Sequence, residues 1–251
     1  MPKVFKSALL LLTLSLSWIC NSEEKVITLG VGPDHHEMLS QQYDIYRANW
    51  EFIGTSLAEL GYTVEASPLP WARAKLKVQS GELHGLFIAA KFVGRDAWAA
   101  YTQPIGYEVY GSFINTKSNN TSKTGGAVRL GGQDRVVSHK APEDLLYVPT
   151  AQQGLKLLAE DKITHFYMAK GYGRYLLANE LKPIADNLVF SQDKIEPRSL
   201  HIAVSQKHEE SLSALALLNK AINNGVNNGS YHVFMAKYSV PKDMQLPKLS
   251  K

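Results

Sequence analysis

The sequence is nearly free of cysteine, since Cys20 is the only one among its 251 residues. A disulfide within the chain needs two cysteines, and a zinc site built on cysteine pairs needs more than one. The sequence therefore excludes a disulfide framework and a cysteine-based metal site.

An excess of one charge sign is also lacking. Lys and Arg number 27 and Asp and Glu number 23, which gives a formal net charge of +4. The sequence has no clustered basic face, which nucleic-acid-binding proteins normally have. Nucleic acid is therefore not an expected partner. The segment Gly30-Val31-Gly32 lacks the third glycine of a dinucleotide-binding fingerprint, and no cofactor is expected.

A hydrophobic run long enough to cross a membrane is absent as well. Residues 8–17 form an apolar run after a short basic stretch, and charge returns at Glu23. A membrane-spanning helix needs ~20 apolar residues, whereas a shorter run with a basic flank is typical of a secretory signal. The sequence predicts a signal peptide over residues 1–22 and a periplasmic protein that starts near Glu23.

Lipid anchoring is the alternative for this N-terminus, because Cys20 precedes a polar stretch. Trp18 and Ile19 stand where small residues precede a lipidated cysteine, and cleavage after Ser22 fits small-residue processing better. We therefore expect a soluble exported protein rather than a lipoprotein.

Hydrophobic periodicity predicts alternating strands and helices in the rest of the chain. We expect strands at residues 25–31, 62–66, 84–89, 107–115, 135–138, 145–148, 164–168 and 199–205. We expect helices at residues 46–60, 71–80, 151–160, 172–181 and 212–222, and a polar loop at residues 117–126. Strands that alternate with helices are typical of a parallel sheet covered on both faces.

The order of these elements indicates two lobes. Two α/β sets are joined around residues 110–115, and the late strand at residues 199–205 can return to the first set. We expect lobe 1 to contain residues 23–110 and 199–251, and lobe 2 to contain residues 111–198. Ligands of open α/β sheets bind at the carboxyl ends of the strands, so the cleft between the lobes is the expected site.

Four motifs and their spacing resemble family 3 of the bacterial extracellular solute-binding proteins, the polar amino-acid receptors of ABC importers. They are LPWARA at residues 69–74, SGELHG at residues 80–85, Gly94-Arg95, and YTQPIGY at residues 101–107. The resemblance covers residues 25–240. It implies an α/β fold of the two-lobed periplasmic-binding-protein type, with two hinge crossovers and a ligand cleft between the lobes. It also implies a small polar ligand, an ABC permease as partner and a monomeric binding protein.

The resemblance assigns one residue to the ligand carboxylate. Family members hold it with an Arg a few residues before an aromatic-Ser/Thr-x-Pro stretch, and Arg95 occupies that place. A planar guanidinium can donate two parallel hydrogen bonds to a carboxylate. The alternative is an ordinary ion pair between Arg95 and Asp96. Two residues that are frequently Asp in the family are His84 and His165 here, and a neutral imidazole can still accept a hydrogen bond from an ammonium group.

Four further residues are candidates for contact with a ligand. Thr150 precedes a predicted helix, where it either caps that helix or binds an anion with it, and Gln152 lies in the first turn. Trp71 either stacks on the ligand or packs in the core, because it shares helical spacing with Ala74. Tyr107 lies on the expected hinge strand.

The sequence predicts neither a metal site nor an enzyme. Residues 34–37 (DHHE) are adjacent, and adjacent side chains point apart, so they form a poor metal cage. An enzyme on the same fold, such as a dehydratase of cyclic acids, needs an acid or base in the cleft, and His35, His36 and Glu108 are the candidates. A ligand-sensing module for a membrane sensor is the third reading.

Overall fold

The structure is a computed structural model that describes residues 25–248 except residues 42, 93, 123, 131–135 and 137–143. The predicted signal peptide, Cys20 included, lies outside the described residues. So does the predicted strand at residues 135–138, apart from Val136.

The first part of the chain alternates strands and helices. It contains β1 (Lys25–Val31), α1 (His35–Ser40), α2 (Asp44–Ala58), β2 (Tyr62–Pro68), α3 (Trp71–Ser80), β3 (Gly85–Ala90) and β4 (Ala99–Tyr101). The helix α2 buries residues at steps of three and four, among them Ile45, Phe52 and Ile53, as expected for one apolar face on the core. A short 3-10 helix, Arg95–Ala97, lies between β3 and β4.

The rest of the chain begins with a long strand, β5 (Gly106–Asn115), and ends with two helices. The elements between and after are β6 (Gly125–Val128), β7 (Leu145–Val148), α4 (Ala151–Ala159), β8 (His165–Ala169), α5 (Lys170–Ala178), β9 (Leu188–Phe190), β10 (Glu196–Ser205), α6 (Ser211–Asn228) and α7 (Ser230–Lys237). Most predicted elements are confirmed within a few residues at each end.

The strands form one continuous sheet in the order β2-β1-β3-β10-β5-β8-β6-β7, with β4 beside β10 and β9 beside β5. The strand β10 pairs with β3 and β4 through its second half and with β5 through its first half. The strand β5 then pairs with β8 and β9 through its second half. The two strands therefore connect the half of the sheet built on β1–β3 with the half built on β6–β8. The lobe boundaries that the sequence predicts fall within these two strands.

Several stretches differ from the predicted elements, and β4, β9 and α7 were not predicted. Residues 125 and 126, predicted as loop, begin the parallel strand β6 between β8 and β7, and α1 follows β1 where a loop was predicted. The helix α2 ends at Ala58, before Gly61, because the next backbone N–H groups of Leu60 and Gly61 bond to carbonyls three residues back. In the part of the chain that the structure describes, no helix is both long and apolar enough to cross a membrane.

Candidate ligand site between the lobes

The carboxyl ends of strands from both lobes meet beside the hinge. Ala90, the last residue of β3, pairs with Leu200 on β10. Ala169, the last residue of β8, pairs with Tyr110 on β5. Because Leu200 pairs with Gly106 and Glu196 pairs with Tyr110, both strand ends lie against the same short stretch of the two hinge strands. This is where the topology predicts a ligand site.

Arg95 lies at the lobe 1 side of this place and is fully buried. Its Nη1 donates a hydrogen bond of 2.8 Å to the carbonyl of Ala90, and its guanidinium carbon lies 4.7 Å from the centre of the Phe92 ring. Just before it, the pairing of β3 with β10 is interrupted by a bulge, where Ile88 has a φ of 51°. A bulge bends its strand and redirects the residues that follow.

A second guanidinium, that of Arg198 on β10, faces the same aromatic ring. Its central carbon lies 4.4 Å from the centre of Phe92 and 5.3 Å from that of Tyr110. Arg198 also forms an ion pair of 2.8 Å with Glu196. Two guanidinium groups thus flank Phe92 at the hinge, in the geometry of cation–π contacts.

A buried carboxyl group, that of Glu108 on β5, belongs to the residue that pairs with Arg198 on β10. Glu108 accepts hydrogen bonds from the backbone N–H of Val109 at 2.8 Å and of Gly171 at 3.2 Å. Gly171 is in the first turn of α5 in lobe 2, so this contact crosses between the lobes. Burial raises the pKa of Glu108 to about 7, because desolvation disfavours the charged form more than the two hydrogen bonds favour it.

Aromatic side chains and a carboxylate close the other side of the site. The hydroxyl of Tyr172 on α5 donates a hydrogen bond of 2.7 Å to Asp34, in the loop after β1. The Tyr43 ring, in the loop before α2, stacks on Tyr175 at 5.4 Å between ring centres. Burial raises the pKa of Tyr43 well above its ordinary value, with Glu108 as the next cause. We refer to Asp34, Tyr43, Arg95, Glu108, Tyr110, Tyr172 and Arg198 as the interlobe cluster.

Of the residues that the sequence predicts for ligand contact, Arg95 belongs to the interlobe cluster, and so does Glu108, which the sequence named as a candidate acid or base. Trp71, at the start of α3, is half-buried and packs against the small apolar cluster of Ala74 and Val78. Tyr107 lies on the hinge strand and packs against the main core. Both remain candidates for contact with a ligand.

The predicted residues of lobe 2 lie at two different edges of its sheet, because Thr150 follows the carboxyl end of β7 whereas His165 begins the parallel strand β8. Thr150 is the N-cap of α4, with its hydroxyl accepting from the N–H of Gln153 at 3.2 Å, and Gln152 donates to Glu180 at 3.1 Å. His165 is the first residue of β8 and is exposed. The ligand site expected from topology lies at the other end of that strand, four residues away or about 13 Å. The structure therefore does not bring His165 together with Arg95.

The segment of residues 34–37 is divided between the core and the surface. His35 is buried and its Nδ1 lies 2.6 Å from the Tyr46 hydroxyl, whereas His36 and Glu37 are exposed. Burial lowers the pKa of His35 to about 4, so its imidazole is neutral at physiological pH. His35 thus acts as a packing residue against Trp50, whose ring centre is 4.6 Å away.

The sequence matches no protein-family model and no curated protein sequence, but its fold is similar to that of many solved structures. A histidine kinase sensor domain with similarity to periplasmic binding proteins superimposes with a TM-score of 0.67 and 19% identity, over 90% of this chain and 100% of that chain. An ABC uptake transporter substrate-binding protein from Streptococcus pneumoniae, solved with bound histidine, gives 0.67 and 16%, over 88% and 95%. The arginine-, lysine-, histidine-binding protein ArtJ from Geobacillus stearothermophilus gives 0.65 and 13%, over 87% and 97%.

The chain has the two-lobed fold of periplasmic binding proteins. The fold class predicted from the sequence is therefore confirmed. In this fold, ligands bind between two lobes that close by a hinge motion. The interlobe cluster lies between the two lobes of this chain. Tyr43, Tyr172 and Arg198 were not predicted as site residues, because no local motif marks them.

Proposed function

We propose that the protein is an exported solute-binding protein whose lobes close on a small polar solute. The observation that carries the proposal is the interlobe cluster, in which cationic, anionic and hydroxyl groups from both lobes meet in a buried place. Buried charges are costly unless they are paired, and a cleft with a few convergent polar groups is typical of small-molecule sites.

The charges of the interlobe cluster favour a ligand that carries both signs. Arg95 and Arg198 provide donors for a carboxylate, and Glu108 and Asp34 provide acceptors for an ammonium group. We therefore propose an amino acid or a related amino carboxylate as the ligand. The histidine bound to the Streptococcus pneumoniae protein and the arginine, lysine and histidine that ArtJ binds support the same ligand class.

The partner that we propose is an ABC-type importer in the membrane, and the compartment is the periplasm. The apolar run at residues 8–17, with its basic flank, supports export. Similarity to a substrate-binding protein of an ABC transporter supports the partner, and we propose that the chain acts as a monomer.

A sensory role is the second candidate, and the similarity to a histidine kinase sensor domain favours it. The neighbouring genes distinguish the two roles, since a permease and an ATPase accompany an importer and a sensor kinase accompanies a signalling protein. The similar structures are described as binding proteins and a sensor domain, and we propose no catalytic activity.

A screen for thermal stabilisation tests the proposed ligand class. A ligand that binds only the folded state raises its stability by mass action, so we expect one or more amino acids to raise the melting temperature above that of buffer, sugars and simple amines. Titration calorimetry with that ligand then tests Arg95. We expect Arg95→Ala to weaken binding by about 2–5 kcal/mol, since the ligand carboxylate loses its paired charge.

Two further variants separate the ligand contact from a general effect on the fold. Arg95→Lys should recover only part of the lost affinity, because an ammonium group cannot reproduce the planar fork of donors. Arg73→Ala, on the exposed face of α3, should bind as the unmodified protein does. Wild-type affinity in a folded Arg95→Ala variant would remove Arg95 from the site, and the absence of any stabilising amino acid or carboxylate would contradict the proposed ligand class.

A further inference from the structure

A cluster of two imidazoles and a carboxylate lies at the end of lobe 1 that is remote from the hinge. His84 directly precedes β3, and His208 and Glu210 lie in the turn after β10. Because β3 and β10 run antiparallel, with Gly85 opposite Val204, the start of one strand lies beside the end of the other. The hinge end of the same pair is five residues further along β3, at Ala90.

The three side chains hold their possible metal-binding atoms close together. One nitrogen of each histidine and one carboxylate oxygen of Glu210 all lie within 4.8 Å of one another. Nε2 of His84 is 3.1 Å from Oε2 of Glu210, and the centres of the two imidazole rings are 3.8 Å apart. Small adjustments of exposed side chains bring such atoms to the distance of about 2 Å that zinc needs.

His84 is held in place by its surroundings. It is buried, and its Nδ1 accepts a hydrogen bond of 3.1 Å from the Thr28 backbone N–H and lies 2.8 Å from the Thr28 hydroxyl. With Nδ1 as an acceptor, the proton of the neutral ring is on Nε2 and faces Glu210. Coordination through Nε2 moves this proton to Nδ1, from where the ring can donate it to the Thr28 hydroxyl oxygen. Metal-binding histidines regularly donate their other N–H to such a partner, which fixes the ring.

The other two ligands are accessible from solvent, since His208 is half-buried and Glu210 is exposed. The side chain of Glu210 is 60% exposed, so an ion can enter from solvent and keep water in its open positions. Two neutral imidazoles and one carboxylate are a donor set for divalent transition metals.

We propose that His84, His208 and Glu210 form a binding site for one divalent transition metal ion of the zinc type, on the face of lobe 1 opposite to the interlobe cluster. This site is independent of the proposed solute site, since no residue is shared. A carboxylate and two imidazoles leave at least one position of a tetrahedral ion for water or for a group from a partner.

Calorimetric titration of the untagged, chelator-treated protein with zinc chloride tests the proposal. We expect one Zn²⁺ to bind per chain. His208→Ala should lower the affinity by more than about 100-fold and Glu210→Gln by at least about 10-fold, because each removes one ligand. Thr28→Val, which keeps the shape of the side chain but removes the acceptor for His84, should lower the affinity by about 10-fold.

Matched controls separate this site from weak binding at the surface. Glu209→Gln removes an exposed carboxylate beside the site and His36→Ala removes an exposed imidazole elsewhere, so both should bind Zn²⁺ as the unmodified protein does. Cobalt provides a second readout, since Co²⁺ in a tetrahedral site with imidazole ligands gives intense visible absorption, and we expect it to disappear in His208→Ala. Failure of the unmodified protein to bind Zn²⁺ stoichiometrically, or unchanged affinity in both His208→Ala and Glu210→Gln, overturns the proposal.

Discussion

The side chain of Glu108, on the hinge strand β5, should make the free energy of unfolding depend on pH. Its folded-state pKa of about 7 lies above the ordinary value of 4.5, and burial is the main cause. The titratable groups that interact electrostatically with Glu108 are Tyr43, Tyr110, Lys170 and Asp243. The folded protein therefore binds this proton more tightly than the unfolded chain does.

The free energy of unfolding should consequently fall as the pH rises from 4.5 to 7, where only the folded state keeps the proton. The full difference corresponds to about 3 kcal/mol, since one pKa unit is about 1.4 kcal/mol. In Glu108→Gln, which cannot ionise, this loss should be absent, so the variant should gain stability relative to the unmodified protein as the pH rises. Urea unfolding at several pH values between 4.5 and 8 measures the effect. The control Glu209→Gln, at an exposed carboxylate, should follow the unmodified protein, and parallel curves for Glu108→Gln would refute the prediction.

Residue positions within the candidate site could be predicted only where a local motif marks them. Arg95 was found because it precedes the stretch Tyr101-Thr102-Gln103-Pro104 at a fixed spacing. The hydrogen bond of Asp34 with Tyr172 joins residues 138 positions apart, and it depends on how closely the lobes approach. His165 was predicted as a site residue from its position in the sequence. In the structure it begins β8, whereas the candidate site lies at the other end of that strand.

At the scale of elements, side-chain periodicity predicts the helices that bury one face and the strands that lie in the core. The strand β6 was not predicted because Gly125-Gly126 has the composition of a loop. The structure shows why glycine is present: a Cβ on Gly126 would lie 2.8 Å from Ile163, and one on Gly125 would lie 2.9 Å from the Tyr167 ring. The strand thus forms where its neighbours leave no room for a side chain, and such a requirement is not visible in periodicity.

Close packing against glycine also occurs between the helices α2 and α6. It predicts that replacing one helical glycine by alanine lowers stability, although alanine is the better helix former. Gly225 on α6 lies against Phe52 of α2, and a Cβ there would be 2.2 Å from the ring. Gly54 on α2 has only a Val64 methyl at 3.4 Å. Alanine is favoured over glycine in helices by about 1 kcal/mol. We expect Gly54→Ala to raise the free energy of unfolding by up to that amount.

Gly225→Ala should instead lower the free energy of unfolding by about 1–3 kcal/mol, because overpacking displaces the buried Phe52 ring. Urea denaturation of both variants measures the two changes with the same method. Stabilisation by Gly225→Ala as well as by Gly54→Ala would mean that α6 moves away from α2 without cost, and would contradict the packing described above.

At the scale of the whole molecule, the order of strands and helices predicts two lobes, and the fold confirms the architecture. The order of elements does not predict the relative position of the lobes, because that position depends on a few long-range contacts. Glu108 with Gly171, Asp34 with Tyr172, and Tyr43 with Tyr175 all join residues far apart in sequence. They join the lobes in this structure, so we expect them to favour a closed form over an open one.

The variant Tyr172→Phe tests whether these contacts favour the closed form, because it removes only the hydroxyl that bonds to Asp34 at 2.7 Å. A hydrogen bond to a charged group contributes about 1.5–3 kcal/mol, and about 1.4 kcal/mol changes an equilibrium tenfold. The variant should therefore populate open forms more than the unmodified protein, and X-ray scattering should give it a larger radius of gyration without ligand. A saturating ligand from the thermal screen should return both proteins to the same compact radius, since ligand binding favours the closed form.

Tyr147→Phe, on β7 and packed within lobe 2, is the matched control and should leave the radius unchanged. An identical radius for Tyr172→Phe and the unmodified protein, with and without ligand, would show that the hydroxyl does not govern closure and that the lobes are held by the ring contacts of Tyr43 instead.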